Sequence, residues 1–516
     1  MHEPPQNIRR RIVPRWRRVN DTPSEEVTSI RHSEPAGELR QEFDDLKRHW
    51  TAQKSTVTAA ELLFAVSLGL PSDIAVQEAA QFLIDTPKVS PELRRLAANA
   101  LPKAEHTAPL EIERKQTFEI KRLKKRLVDQ PRNALARIEL ARAYVSVGLV
   151  DKAKKHIRIA IDLAPMNRFV LRSAARFDVH RGKINRAMKA LESAAPYDPW
   201  LAASLVALSD LSDKPVRRIK AIRDLLESTD DPAEKSELAA ALGTLELKDA
   251  GLRKARKYFQ LSAISPNENV IAQLFWLSKN YGVNFDKTLL DHQEAFEAKA
   301  HQSAEDSDWR SAVEASLRWL DNEPFAIRPA FEGGFLASEM LGDFETAKEF
   351  AHRGLVSNPK AVGLMNNLAF ALIMCGDSVV AREWIGRAKS LLSGVDDQQK
   401  AILQATEGLL LYRDGNPEEG ARHYIATILK ARELKNEKLL QLAYLHFCYE
   451  ELRIGHATPF WSTEELKKFF ESDDVSKDAK AVFKRMLLPM LIAREKYGLI
   501  DAGFGTPLPI SLPKPL

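Results

Sequence analysis

Four alanines, Ala153, Ala187, Ala221 and Ala255, stand 34 residues apart. A fixed step of that length constrains the chain to a stack of repeated supersecondary units rather than one layered core. Prolines keep nearly the same step, at Pro131, Pro165, Pro199, Pro232 and Pro266. In the first copy, Asn133 to Pro165, Leu140, Ala141 and Tyr144 fall in one helical stretch, Gly148 follows, and Ala153, Ile157 and Ala160 fall in a second. Two helices approach closely only where small side chains face each other, so alanine and glycine mark the crossings. Gly148 and Gly182 read as glycines ending first helices. Pro165 and Pro199 read as stops for second helices, since proline lacks a donor and clashes with a continuing helix. One unit cannot bury its apolar stripe alone, so stability comes from stacked neighbours.

This order of small, large and turn residues resembles the tetratricopeptide repeat, over residues 131–432. The resemblance implies an all-α fold, an α-solenoid of stacked helix-turn-helix repeats forming a right-handed superhelix. The second copy carries Ala174, Ala175, Gly182, Ala187, Leu191, Ala194 and Pro199; the third keeps Ala221, Leu225 and Pro232 without a turn glycine; the fourth has Leu242, Gly243, Ala255 and Phe259. The phase then breaks, with 57 residues between Ala255 and Ala312, and residues 267–295 are expected to hold an irregular helical pair or an extra helix. Degenerate copies resume at Asp308-Trp309, at Gly342-Asp343-Phe344 with Ala347, at Leu368-Ala369 with Gly376-Asp377 and Ala381, and from Ala401 with Gly408, Gly415 and Gly420.

The resulting division is a basic, proline-rich disordered arm over 1–36, a helical N-terminal cap over 37–130, regular repeats over 131–266, the break over 267–295, degenerate repeats over 296–432, a helical C-terminal cap over 433–503 and a proline-rich tail over 504–516. In the cap, Thr58 to Glu61 reads as a capping box and Ser90-Pro91-Glu92 as a second helix start. The tail prolines Pro507, Pro509, Pro513 and Pro515 favour an extended conformation. No stretch has the 18 to 20 uninterrupted apolar residues of a membrane span. Two cysteines, Cys375 and Cys448, are too few for a disulfide framework, so a reducing, cytoplasmic setting is expected.

Chemistry is not legible. The chain lacks a paired-histidine zinc motif, a cysteine cluster, a phosphate-cradling glycine loop and a nucleophile elbow, so no catalytic residue, metal site or cofactor is expected. Glu418-Glu419 and Glu450-Glu451 read as solvated helix surface. The basic run Lys121, Arg122, Lys124, Lys125 and Arg126 reads as the outer face of a helix packed through Ile120, Leu123 and Leu127.

A repeat scaffold binds through its concave lining, built mainly by first helices. The resemblance places Arg142, Arg172, Arg176 and His180 there, where arginines can hold carboxylates of a protein or peptide partner through bidentate bonds. Asn366 and Asn367 interrupt a helix interior that disfavours asparagine, and so ask for a hydrogen-bonding role, toward a peptide backbone or within the stack. Arg9, Arg10, Arg11, Arg15, Arg17 and Arg18 surround Trp16 in the arm. That cluster suits contact with an acidic partner or with nucleic acid, phosphate with base stacking, as in a regulatory subunit of a nucleic-acid-associated complex; the alternative is a solvated tail.

Overall fold

In the computed structural model, the described residues are 10–19, 36–67, 74–87, 89, 90, 93, 94, 97, 100, 109–249, 251–456 and 462–496, and every regular element among them is helical. The chain forms two compact units. One comprises Met1–Arg15, Ala143–Ala153 and Arg176–Leu516, the other Trp16–Arg142 and Lys154–Ala175. The tail over 504–516, Arg9, and the Pro91-Glu92 helix start lie outside the described residues.

The smaller unit holds α1 (Ala36–Ala52), α2 (Thr56–Ser67), α3 (Ile74–Asp85) and α4 (Pro109–Asp129), with parts of α5 (Ala134–Ser146), α6 (Val150–Leu163) and α7 (Arg168–His180). Phe43, Trp50, Leu62, Leu63, Val76 and Leu83 form the core of α1 to α3, where Trp50 meets the Phe82 ring edge-on at 5.3 Å. The capping box of α2 lies three residues earlier than the sequence suggested. Ser55 accepts from the Thr58 N–H at 3.2 Å and the Thr58 hydroxyl accepts from the Ser55 N–H at 3.2 Å. Serine is the better N-cap, and threonine at the third position supplies the reciprocal acceptor. On α4, Leu123 is buried while Lys121, Arg122, Lys124, Lys125 and Arg126 are exposed, as its pattern requires.

In the larger unit first and second helices alternate, save over 267–295, where a second helix is missing. They are α8 (Ile184–Leu191), α9 (Pro199–Leu211), α10 (Ile219–Ser228), α11 (Pro232–Asp249), α12 (Leu252–Ser262), α13 (Glu268–Tyr281), α14 (Phe296–Glu305), α15 (Trp309–Asn322), α16 (Ile327–Phe335), α17 (Phe344–Ser357), α18 (Val362–Met374), α19 (Ser378–Ser390), α20 (Asp397–Arg413), α21 (Pro417–Glu433), α22 (Glu437–Arg453), α23 (Thr463–Glu471), α24 (Lys477–Val482) and α25 (Leu488–Lys496). First helices pack on their own second helices and on neighbouring first helices, as α11 does on α12 and α9, and α20 on α21 and α18. First helices are therefore buried nearly all round: Pro199 through Asp210 of α9 are all buried. Second helices keep one solvated side, and on α12 only Ala255, Phe259 and Ser262 are buried.

The turns follow from two residues. Gly376 takes a φ of 88° and donates to the Ile373 carbonyl at 3.0 Å, while Asp377 donates to Leu372 at 2.9 Å and caps α19 by accepting from the Val380 N–H. This is a glycine C-terminal motif followed at once by an aspartate N-cap. Crossings follow from side-chain size. Ala153, Ala187, Ala255, Ala312, Ala347 and Ala381 are fully or almost fully buried. At the α20–α21 crossing a Cβ on Gly420 would stand 2.6 Å from the Tyr412 ring and 2.9 Å from the Gly408 carbonyl.

Three expectations need correction. Ala221 is exposed, and Ile222 and Leu226 are buried in its place. Asp213 and Arg218 both take positive φ before α10, so the helix enters one residue out of register. Pro199 does not stop a second helix: α8 ends at Leu191, and Pro199 opens α9 behind the Asp198 N-cap. Glu450 and Glu451 are buried rather than solvated. Glu450 accepts from Arg413 and Arg453 at 2.7 Å each, and Glu451 from the Tyr412 hydroxyl and from His456 at 2.9 Å. Over 267–295 the first helix α13 is regular, and its partner is reduced to the 3-10 turn Lys287–Asp291. No helix among the described residues is long and apolar enough to cross a membrane.

Candidate functional site

The described part of the N-terminal arm is neither disordered nor solvated. Residues 10–18 lack helix and strand, yet Ile12 is 1% exposed and Trp16 0%. Composition misled because the arm's few apolar side chains are spaced by arginines that find buried carboxylates elsewhere in the chain.

In the larger unit Arg10 is held by two consecutive first helices. Its Nε and Nη2 donate to Oε1 and Oε2 of Glu297 on α14 at 3.0 and 2.8 Å, a fork-on-fork pair. Its remaining donors reach side-chain carbonyls of α13, Gln273 at 3.3 Å and Asn269 at 3.0 Å. Asn269 also donates to the Val13 main-chain carbonyl at 3.1 Å, which fixes the register of the segment. Arg15 donates to Glu297 Oε2 at 2.5 Å and stands 3.8 Å from Glu268. Arg11 donates to Asp210 on α9 at 2.7 Å. The three carboxylates are 1 to 3% exposed.

The site's own geometry holds Glu297 in place. Arg328 on α16 donates to its Oε1 at 2.8 Å, bonds Glu332 at 3.1 Å and stands over the Trp319 ring at 5.2 Å. Burial alone would raise the Glu297 pKa, but Arg10, Arg328 and Arg15 together hold it well below the usual carboxylate range. Burial pushes Arg10 down from its ordinary value against the pull of Glu297. Glu332 is taken to about 2, burial being outweighed by Arg328 and by His301 at 2.8 Å.

The sequence-derived candidates scatter. Arg176 stands over the Phe325 ring at 4.9 Å, and His180 meets the same ring edge-on at 6.1 Å. Burial, then Arg176 and Arg181, push His180 down to about 4. In the smaller unit Arg142 is buried and donates to the Trp16 carbonyl at 3.0 Å, the Val19 N–H donates to Glu139 at 2.8 Å, and Arg172 is buried. That bond ties Arg142 to the chain's own arm. Asn367 donates to the Phe331 carbonyl at 3.3 Å, a bond within the stack, while the Asn366 side-chain oxygen is buried without a partner. Of the arm cluster, Trp16 offers no open indole face for stacking, Arg10, Arg11 and Arg15 are paired to carboxylates, Arg17 is buried, and Arg18 is exposed.

Asp210, Glu268, Asn269, Gln273 and Glu297 were missed. One signal was present: Asn269 and Gln273 are four apart, the spacing of one face, in the run 269–277 that is otherwise apolar. This asparagine bonds the backbone of a nonhelical segment, whereas Asn367 bonds backbone within the helical stack. Among the described residues no group of three His, Cys, Asp or Glu side chains is arranged to hold a metal ion.

No protein-family model matches the chain, and no curated protein matches its sequence. Solved structures similar to it include the APC/C hetero-tetramer Cut9–Hcn1, at 14% identity and a TM-score of 0.37, covering 87% of each chain. Yeast Tom70 is similar at 13% identity and a TM-score of 0.28, covering 90% of this chain and 97% of that one. These superpositions are loose. The all-α fold of paired, tetratricopeptide-like repeats therefore stands on the helix pairing described above.

Proposed function

We propose that the chain is a non-catalytic repeat scaffold that binds an extended polypeptide segment against the first helices α9, α13 and α14. The observation that carries this reading is the hold on residues 10–15. A nonhelical segment is gripped through its side chains by Glu297, Gln273 and Asp210, and through both side chain and main chain by Asn269. Sockets on rigid helices are preformed, so a ligand segment bears most of the ordering cost. The polar groups of this site are carboxylates already paired with arginine and neutral amides, which suits recognition rather than bond making.

Random twelve-residue peptides displayed on phage, panned against the full chain carrying Arg10→Ser, test the reading. Enrichment that disappears when Glu297→Gln is added is expected. Absence of enrichment, or enrichment indifferent to Glu297, would refute the placement.

A further inference from the structure

We infer that the pocket around Glu297 is a guanidinium-recognition site for basic polypeptide segments carrying two arginines five positions apart, and that residues 10–15 are its resident occupant, held in cis. This rests on the peptide-binding reading and adds the ligand's chemistry.

The geometry selects arginine. Glu297 meets Arg10 with both oxygens, and the carbonyl oxygens of Asn269 and Gln273 stand at the outer guanidinium nitrogens. A planar fork fills all of these positions at once, whereas an ammonium group cannot. Among the described residues, ionised Glu297 accepts from the two arm arginines and from Arg328. Once the arm leaves, a carboxylate that is 3% exposed keeps a single counter-ion, itself shared with Glu332. Asp210 on α9 and Glu268 on α13 are further buried acids, facing Arg11 and Arg15, with Lys248 also 3.7 Å from Asp210. Without its occupant Glu297 lacks two of its three guanidinium partners, and a positively charged segment is the ligand that restores them.

The occupant seats Ile12 against the chain but is held chiefly through charge. Three of its six residues are cations, each placed against a carboxylate. Its second arginine also fits imperfectly. Arg15 Nη1 is buried without a hydrogen-bond partner, and its Nε lies 3.8 Å from Glu268, beyond hydrogen-bond reach. The tether compensates for the imperfect fit, because a linked segment competes at a high effective concentration.

The test uses a fluorescent peptide copying residues 8–19, titrated by anisotropy into the full chain as wild type, as Arg10→Ser/Arg15→Ser, and as that double variant with Glu297→Gln. Removing the resident arginines should tighten peptide binding by about tenfold or more, since the tethered competitor is weakened. Adding Glu297→Gln should reverse the gain. A peptide with both socket arginines changed to lysine should bind about tenfold more weakly, because it loses the bidentate contact. No gain in the double variant, or equal binding of the lysine peptide, overturns the inference. Loss of cooperative melting in the double variant also overturns it, since the segment would then be integral core. If phage-selected peptides still bind the Arg10→Ser chain while the copied peptide does not, the broader reading survives and the inference fails.

Discussion

Replacing Glu297 with glutamine keeps its volume and removes the one charge that three guanidinium groups share. The carboxylate is 3% exposed and accepts four hydrogen bonds, two from Arg10 and one each from Arg15 and Arg328. Removing one member of a buried ion pair costs roughly 3–5 kcal/mol, because the remaining charge is left desolvated and uncompensated. The molecule has a cheaper way out than unfolding. Arg328 retains Glu332 at 3.1 Å, while Arg10 and Arg15 can return to water if the arm lets go. The loss should therefore appear as arm release, and about 3 kcal/mol shifts that equilibrium by roughly a hundredfold. Tryptic cleavage at Arg10, Arg11 and Arg15 under native conditions reads the open population when closing outruns cleavage. The first-order loss of the N-terminal fragment, followed by mass, should accelerate about a hundredfold in Glu297→Gln, with little change in the main melting transition. The control is Glu332→Gln, which touches the arm only through Arg328; it should accelerate cleavage by less than about tenfold, as expected for a partly exposed pair. A Glu297→Gln chain cleaved at the wild-type rate, or no faster than the control, would refute the reasoning.

Other outcomes follow from packing and charge. Gly420→Ala drives a methyl to 2.6 Å from the Tyr412 ring and 2.9 Å from the Gly408 carbonyl; overpacking of this kind costs about 1–3 kcal/mol and should lower the melting midpoint. Ala187→Leu should be similarly destabilising, whereas Ala221→Leu should stay within about 0.5 kcal/mol of wild type because that position is exposed. Equal losses at both positions would contradict the register shift at α10. His180, pushed from 6.5 to about 4 by burial and then by Arg176 and Arg181, stays neutral in the folded chain where the unfolded chain takes up a proton. Its contribution is constant above 6.5 and turns destabilising as pH falls from 6.5 toward 4. A ring titration by NMR with a midpoint above about 6 would contradict the buried, cation-flanked placement.

The frame was legible where one residue type has one physical use. Ala153, Ala187 and Ala255 mark crossings because nothing larger fits, and Gly148 and Gly182 mark turns because both adopt positive φ. Ala221 failed because Asp213 and Arg218 adopt that same backbone region without glycine, which shifts the helix behind them and which residue type does not announce. The site was harder. Periodicity describes neighbours in sequence, but Arg10 and Glu297 are 287 positions apart, and no local pattern joins them. Charge composition gave the arm a solvated reading because it counts arginines without counting the carboxylates that wait elsewhere. Asn269 and Gln273 carried a visible cue, polar residues in the otherwise apolar run 269–277 of a first helix, while attention to Asn366 and Asn367 found the same cue in a helix where one of the two serves the stack itself.

An ion pair joins the two ends of that separation, and a double-mutant cycle on Arg10→Ala and Glu297→Ala measures it directly. With the free energy of arm release taken from native-state cleavage, the two substitutions should be strongly non-additive, with a coupling of about 1–3 kcal/mol. Additivity to within about 0.5 kcal/mol would mean that the two side chains do not meet in solution, and the acid-lined pocket would lose its occupant.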